Sequence, residues 1–89
     1  MYRKQYFFTE DDTLPEKTDW EARAANLLKA ELKRRGVTYA GLVDRLAAIG
    51  VTEKEVNVRN KLSRGKFTAA FMLQCLVAIG CSSLHLGDT

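Results

Sequence analysis

Asn57, Asn60, Lys61 and Arg64 are the side chains of this 89-residue sequence whose types and spacing point to a chemistry. An Asn amide can bond an adenine edge with both its ends, and Arg or Lys can bond O6 and N7 of guanine. At about 100° per residue these four fall together on one side of a helix, opposite Val58 and Leu62. Lys54 lies at the margin of that face. Lys66 follows in the loop Ser63-Arg64-Gly65-Lys66, where cations and the start of a Thr-capped helix suit a phosphate. The alternative is an ordinary solvated helix face. Arg59 and Glu55, four apart, are placed to pair along the helix edge.

Other chemistries find little in the sequence. There is no Gly-rich phosphate loop and no Ser or Cys nucleophile with an obvious base. Cys75 and Cys81, with the single His85, do not make a zinc pattern. Cys75 sits in an apolar run and reads as a small core residue, His85 as a surface one. Both thiols are expected to be free in a reducing compartment. Glu10-Asp11-Asp12 reads as a solvated charge run. The expectation is therefore no enzyme, no cofactor and no metal.

The elements that must position these residues announce themselves by repeated helix punctuation. Thr18, Thr38, Thr52 and Thr68 each precede a helix-like segment, and Gly36, Gly50, Gly65 and Gly80 each close one. A Thr hydroxyl can accept a bond from an orphan N–H at a helix start. Gly suits the left-handed residue just past a helix end. Thr18-x-x-Glu21 and Thr52-x-x-Glu55 fit the capping box. Val37 with Leu42, Val51 with Val56, and Phe67 with Met72 fit the hydrophobic staple. These signals predict helices over about 19–35, 39–49, 53–64 and 69–79.

Within them, Trp20, Ala24, Leu27, Leu28 and Leu32 form the expected apolar face of the first helix. Leu42, Val43, Leu46 and Ile49 do the same in the second. The fourth is apolar nearly all round, which predicts the central and most buried helix. Residues 1–17 hold Tyr2, Tyr6, Phe7 and Phe8, then an acidic stretch and the single proline, Pro15. They read as an irregular arm whose aromatics form a short strand or a clip against the core. Ser82-Ser83-Leu84-His85-Leu86 alternates and permits a second short strand. The domain division is thus 1–17 for the arm and 18–89 for the helical domain.

Length and charge set the bounds. Eighty-nine residues with 46% hydrophobic and 28% charged side chains fit one small globular domain with one core. Residues 1–21 carry three basic and six acidic side chains, and residues 22–89 carry eleven basic and five acidic. The net charge of +3 is therefore the sum of −3 over residues 1–21, the acidic arm with the first helix turn, and +6 over the basic body. A basic body favours polyanion partners. No apolar run approaches the roughly 20 residues of a membrane span. The first residues have too short an apolar stretch for a signal peptide, so a cytoplasmic location is expected.

The order of elements resembles the lambda-repressor-like helix-turn-helix fold over about residues 22–86. Leu62-Ser63-Arg64-Gly65-Lys66, then Thr68 and an apolar helix running to Ala78-Ile79-Gly80-Cys81, carries the likeness. Repressors of that group typically show Arg-Gly-Lys and then a helix ending in Ala-Leu-Gly-Val. The stretch Arg34-Arg35-Gly36-Val37-Thr38-Tyr39-Ala40-Gly41-Leu42-Val43 is similar to their turn into the second helix. Two features depart from the pattern. The stretch from Gly50 to Gly65 is longer than usual, and Tyr39 stands where those families carry a phosphate-binding Gln. The chain also resembles, more closely, an uncharacterised bacterial family, in residues 28–39 and 59–71. That likeness implies a bacterial or phage source and no particular activity.

Together these readings give an all-α, four- or five-helix domain that binds double-stranded DNA as a transcriptional regulator. Asn57, Asn60, Lys61 and Arg64 would meet bases and nearby phosphates. Lys54, Lys66, Tyr39 and Arg45 would touch the backbone. A homodimer on a two-fold site fits the modest charge. The rival expectation is a protein-interaction module, a phage-type inhibitor or adaptor, whose arm takes a protein partner.

Overall fold

A computed structural model describes residues 19–87 of the chain. Among them are four helices and no strand: α1 Asp19–Arg34, α2 Tyr39–Ala48, α3 Glu55–Arg64 and α4 Ala69–Ala78. The tail 81–87, expected to allow a strand, is irregular. The arm and Thr18 lie outside the described residues, and so does the cap expected at Thr18.

Local chemistry sets two of the helix starts as expected. Thr38 accepts a bond from the Gly41 N–H at 3.0 Å, and Thr68 from the Phe71 N–H at 3.0 Å. Thr52 does not cap α3. The helix begins at Glu55, its N-cap residue is Lys54, and no side chain caps it. Glu53, on the connection before it, reaches instead to Lys61 Nζ at 2.8 Å. The expected Thr52–Glu55 box is thus replaced by a long-reach ion pair. The Val51–Val56 staple fails with it. Val51 packs on the core, while Val56 is 53% exposed. Thr38→Ala and Thr68→Ala should each cost about 1 kcal/mol in urea unfolding. Thr52→Ala should leave the midpoint unchanged.

The helix ends explain why three turns are alike and one differs. Past α1, α2 and α4 the chain makes the paired bonds of the Schellman motif, with Val37, Val51 and Cys81 bonding back to Leu32, Leu46 and Leu76 at 2.9 Å. Those three following residues are apolar or weakly polar and pack back on the core. After α3 the corresponding residue is Lys66, which turns outward. There a single bond from the Gly65 N–H to Lys61 O, 2.9 Å, ends the helix. Gly65 is buried and left-handed, with φ of 70°, a conformation that costs an L residue roughly 1–2 kcal/mol.

All four helices feed one core. Leu28 and Leu32 of α1, Leu42 and Leu46 of α2, Val58 and Leu62 of α3, and Phe71, Cys75 and Leu76 of α4 form a single cluster with Ile79. α1 and α2 each pack against both α3 and α4. The spacing of these side chains is helical, and their burial is the main force holding the four segments together.

Three packing expectations are corrected. Trp20 is 76% exposed, because the buried stripe of α1 runs through Ala25, Leu28 and Leu32 and turns Trp20 away. Ile49 lies past the end of α2 and is partly exposed. α4 is not buried all round, since Leu73 and Val77 project outward, one turn apart. No described helix is long and apolar enough to cross a membrane.

Candidate nucleic-acid interface

α3 owes its position to two residues. Val58 and Leu62 are fully buried and lie one turn apart, so they fix which side of the helix faces the core. The side opposite is then determined by helical geometry. Val56, Asn60 and Arg64, at intervals of four, form its outer ridge, with Asn57 and Ser63 beside it. All five are exposed. Asn57, Asn60 and Arg64 have no side-chain hydrogen bond or ion pair among the described residues.

Lys61 is not on this ridge. It sits on the flank, half-buried, with its ammonium 2.8 Å from Glu53 Oε2 and 4.4 Å from the Phe71 ring centroid. A cation over an aromatic face and beside a carboxylate is braced twice. Arg59 is braced as the spacing implied, 2.7 Å from Glu55 Oε2, and its guanidinium lies 5.7 Å from the Tyr39 ring centroid. Lys66 bonds both carboxylate oxygens of Glu21 at 3.1 Å and so ties the α3–α4 loop to the first turn of α1. Lys54 and Arg45 are exposed and make no ion pair among the described residues.

The ridge and its surroundings therefore differ in kind. Arg59, Lys61 and Lys66 are held by carboxylates, while among the described residues two amides and a guanidinium project into solvent without a partner. Val56 was not among the residues that composition marks, because its staple position implied burial. The signal available was its place on the helix, one turn before Asn60.

Most of the chain, residues 20–84, matches the family model of a domain of unknown function, DUF6471. The chain belongs to that family. No curated protein and no solved structure matches it. The DUF6471 match runs from the second residue of α1 through the tail to Leu84, so it takes in the whole of α3 and its ridge.

Two further features of the DUF6471 domain carry chemistry of their own. Glu31 is a buried carboxylate, 3.5 Å from both Arg34 and Arg35, with the Cys81 thiol 3.8 Å away. These are the groups that offset its burial. Cys75 lies in the core, and burial pushes its thiol from the ordinary 9.0 up to about 12. The Glu53 carboxylate adds to that shift and Lys61 opposes it. Above about pH 9 the unfolded thiol ionises while the buried one stays neutral. Its contribution to stability is full below pH 9 and is lost as pH rises toward 12. Alkylation at about pH 8 should modify Cys81 in the folded protein and Cys75 only after denaturation. Equal labelling of both in the native state would contradict this placement.

A separate apolar groove of about 520 Å³ lies between Trp20, Ala24 and Leu27 of α1, Met72 of α4, and Leu84 and Leu86 of the tail. Arg23 closes one side by donating to Leu86 O at 3.0 Å. None of the groove's lining residues belongs to α3.

Proposed function

We propose that this chain is a small DNA-binding protein, a transcriptional regulator that lays α3 in the major groove. The observation that carries the proposal is the outer ridge of α3. Asn57, Asn60 and Arg64 stand exposed and unpaired among the described residues while Arg59, Lys61 and Lys66 are held in ion pairs. These are side chains suited to adenine and guanine edges, on a helix whose inner side is locked to a core. In this reading α2 and α3 act as a helix-turn-helix of the lambda-repressor-like kind. The six-residue connection 49–54 is longer than the usual three or four residues of such a turn, and it holds Glu53 against Lys61.

Lys54, Arg45, Tyr39 and Lys66 supply backbone contacts, and Lys61 a phosphate contact from the flank. Lys66 and Lys61 exchange their carboxylate partners for phosphate on binding. For the exposed Lys66–Glu21 pair this exchange costs little, since such bridges contribute only about 0–1 kcal/mol. One ridge covers few base pairs, so a homodimer on a two-fold site, with its two α3 helices about 34 Å apart, fits the modest charge.

Fluorescence anisotropy with a mixed-sequence duplex tests the proposal. Log affinity should fall with log salt by about 0.9 per neutralised phosphate. Lys54, Arg45, Lys61 and Lys66 would make that slope about −3.6 per protomer. Undetectable binding at low salt overturns the proposal.

The groove beside Trp20 favours a second reading, a protein-interaction module that uses the groove and the arm. Removing residues 1–17 separates the two. DNA binding survives the truncation under the first reading, and binding of the protein partner is lost under the second.

A further inference from the structure

Among the described residues six large apolar side chains are exposed, and Val56 is the one that lies on α3. It stands one turn before Asn60, which stands one turn before Arg64. The three make a single row about 12 Å long, the height of roughly three to four base-pair steps. Stability does not account for a valine there. It is 53% exposed, it contributes no burial to the core cluster, and a β-branched residue is a poor helix former. The capping arrangement that would have buried it against Val51 is absent, because α3 starts at Glu55.

An apolar branched side chain in a row of hydrogen-bonding ones has a natural counterpart in the major groove. Each A·T pair presents there the adenine edge and the C5-methyl of thymine. Asn60 or Asn57 can take the adenine, and the methyl offers the apolar surface in that groove.

Resting on the reading of α3 as the DNA-binding helix, we infer that Val56 is a specificity residue that packs on a thymine methyl group. The preferred half-site then contains an A·T pair read by Asn60 beside a thymine covered by Val56. Arg64 takes a guanine at the far end of the row. The class of target is a mixed sequence with adjacent A·T pairs bounded by a G·C pair.

The test uses the full chain and a duplex that it selects from a random-sequence pool. Each thymine of that duplex is replaced in turn by uracil, which removes the methyl and leaves the base-pairing edge unchanged. At one thymine per half-site, uracil should weaken binding about fourfold, the ratio expected for one buried methyl group. Val56→Ala should bind the thymine and uracil duplexes alike and should keep its helical circular dichroism. If no thymine matters, or if Val56→Ala keeps the same discrimination, the inference is overturned while DNA binding by α3 stands. If the chain selects no duplex at all, the reading of α3 itself fails, and this inference with it.

Discussion

Leu62→Ala should lower the stability of this domain by roughly 2–5 kcal/mol, the cost of lost burial plus the cavity left behind. Leu62 is fully buried and is one of only two residues of α3 in the core, the other being Val58. Natural domains are stable by about 5–15 kcal/mol, and small ones lie at the low end. The loss should therefore remove a large part of the total and drop the melting temperature by about 10 °C or more. It should also loosen the ridge, since Val58 would then be the one large buried side chain left on α3. Leu73→Ala is the matched control. Leu73 is an equally large side chain on α4 but 62% exposed, so its truncation should stay within about 0.5 kcal/mol. Equal destabilisation by the two changes would mean that the core is not where this fold places it.

Asn60→Ala and Arg64→Ala should leave stability nearly untouched, because both side chains are exposed and unpaired among the described residues. Each should instead cost about 1–3 kcal/mol on the preferred duplex and little on others. Lys66→Ala should act differently. It removes a backbone contact, so all sequences should weaken alike and the salt slope should shrink by about 1. Competition binding with specific and mixed duplexes distinguishes these outcomes. An equal loss on every sequence for Asn60→Ala and Arg64→Ala would remove the base-reading role.

Most of the helical frame was legible in the sequence, because caps are local chemistry. A Thr hydroxyl at Thr38 or Thr68 needs only its own backbone a few residues on. The left-handed glycines at the four helix ends need only the turn they close. α3 escaped this logic at its start. Thr52 and Glu55 have the spacing of a capping box, but Glu55 pairs with Arg59 and Glu53 with Lys61, eight residues away in the chain. Both carboxylates face along the helix rather than back to its start, and the helix begins two residues later than the punctuation implies. Val56 moved from staple to surface for the same reason.

The candidate site was legible in composition and less so in geometry. Asn57, Asn60 and Arg64 follow from the helical period once Val58 and Leu62 define the inner side. Lys61 did not stay with them, because its angular position puts it on the flank, within reach of Phe71 and Glu53. Trp20 misled for a related reason. A large aromatic at helical spacing implies core, but the buried stripe of α1 follows Ala25, Leu28 and Leu32 and leaves Trp20 outside it.

The outer ridge of α3 is the surface proposed to meet DNA. Nuclear magnetic resonance mapping of the labelled full chain with a selected duplex tests it most directly. The backbone amides of Val56, Asn57, Asn60 and Arg64, and the side-chain amides of both asparagines, should show the largest shifts. Lys54 and Lys66 should follow, and the residues around the Trp20 groove should stay still. Shifts concentrated on Trp20, Leu27 and Leu86, with α3 unmoved, would contradict it.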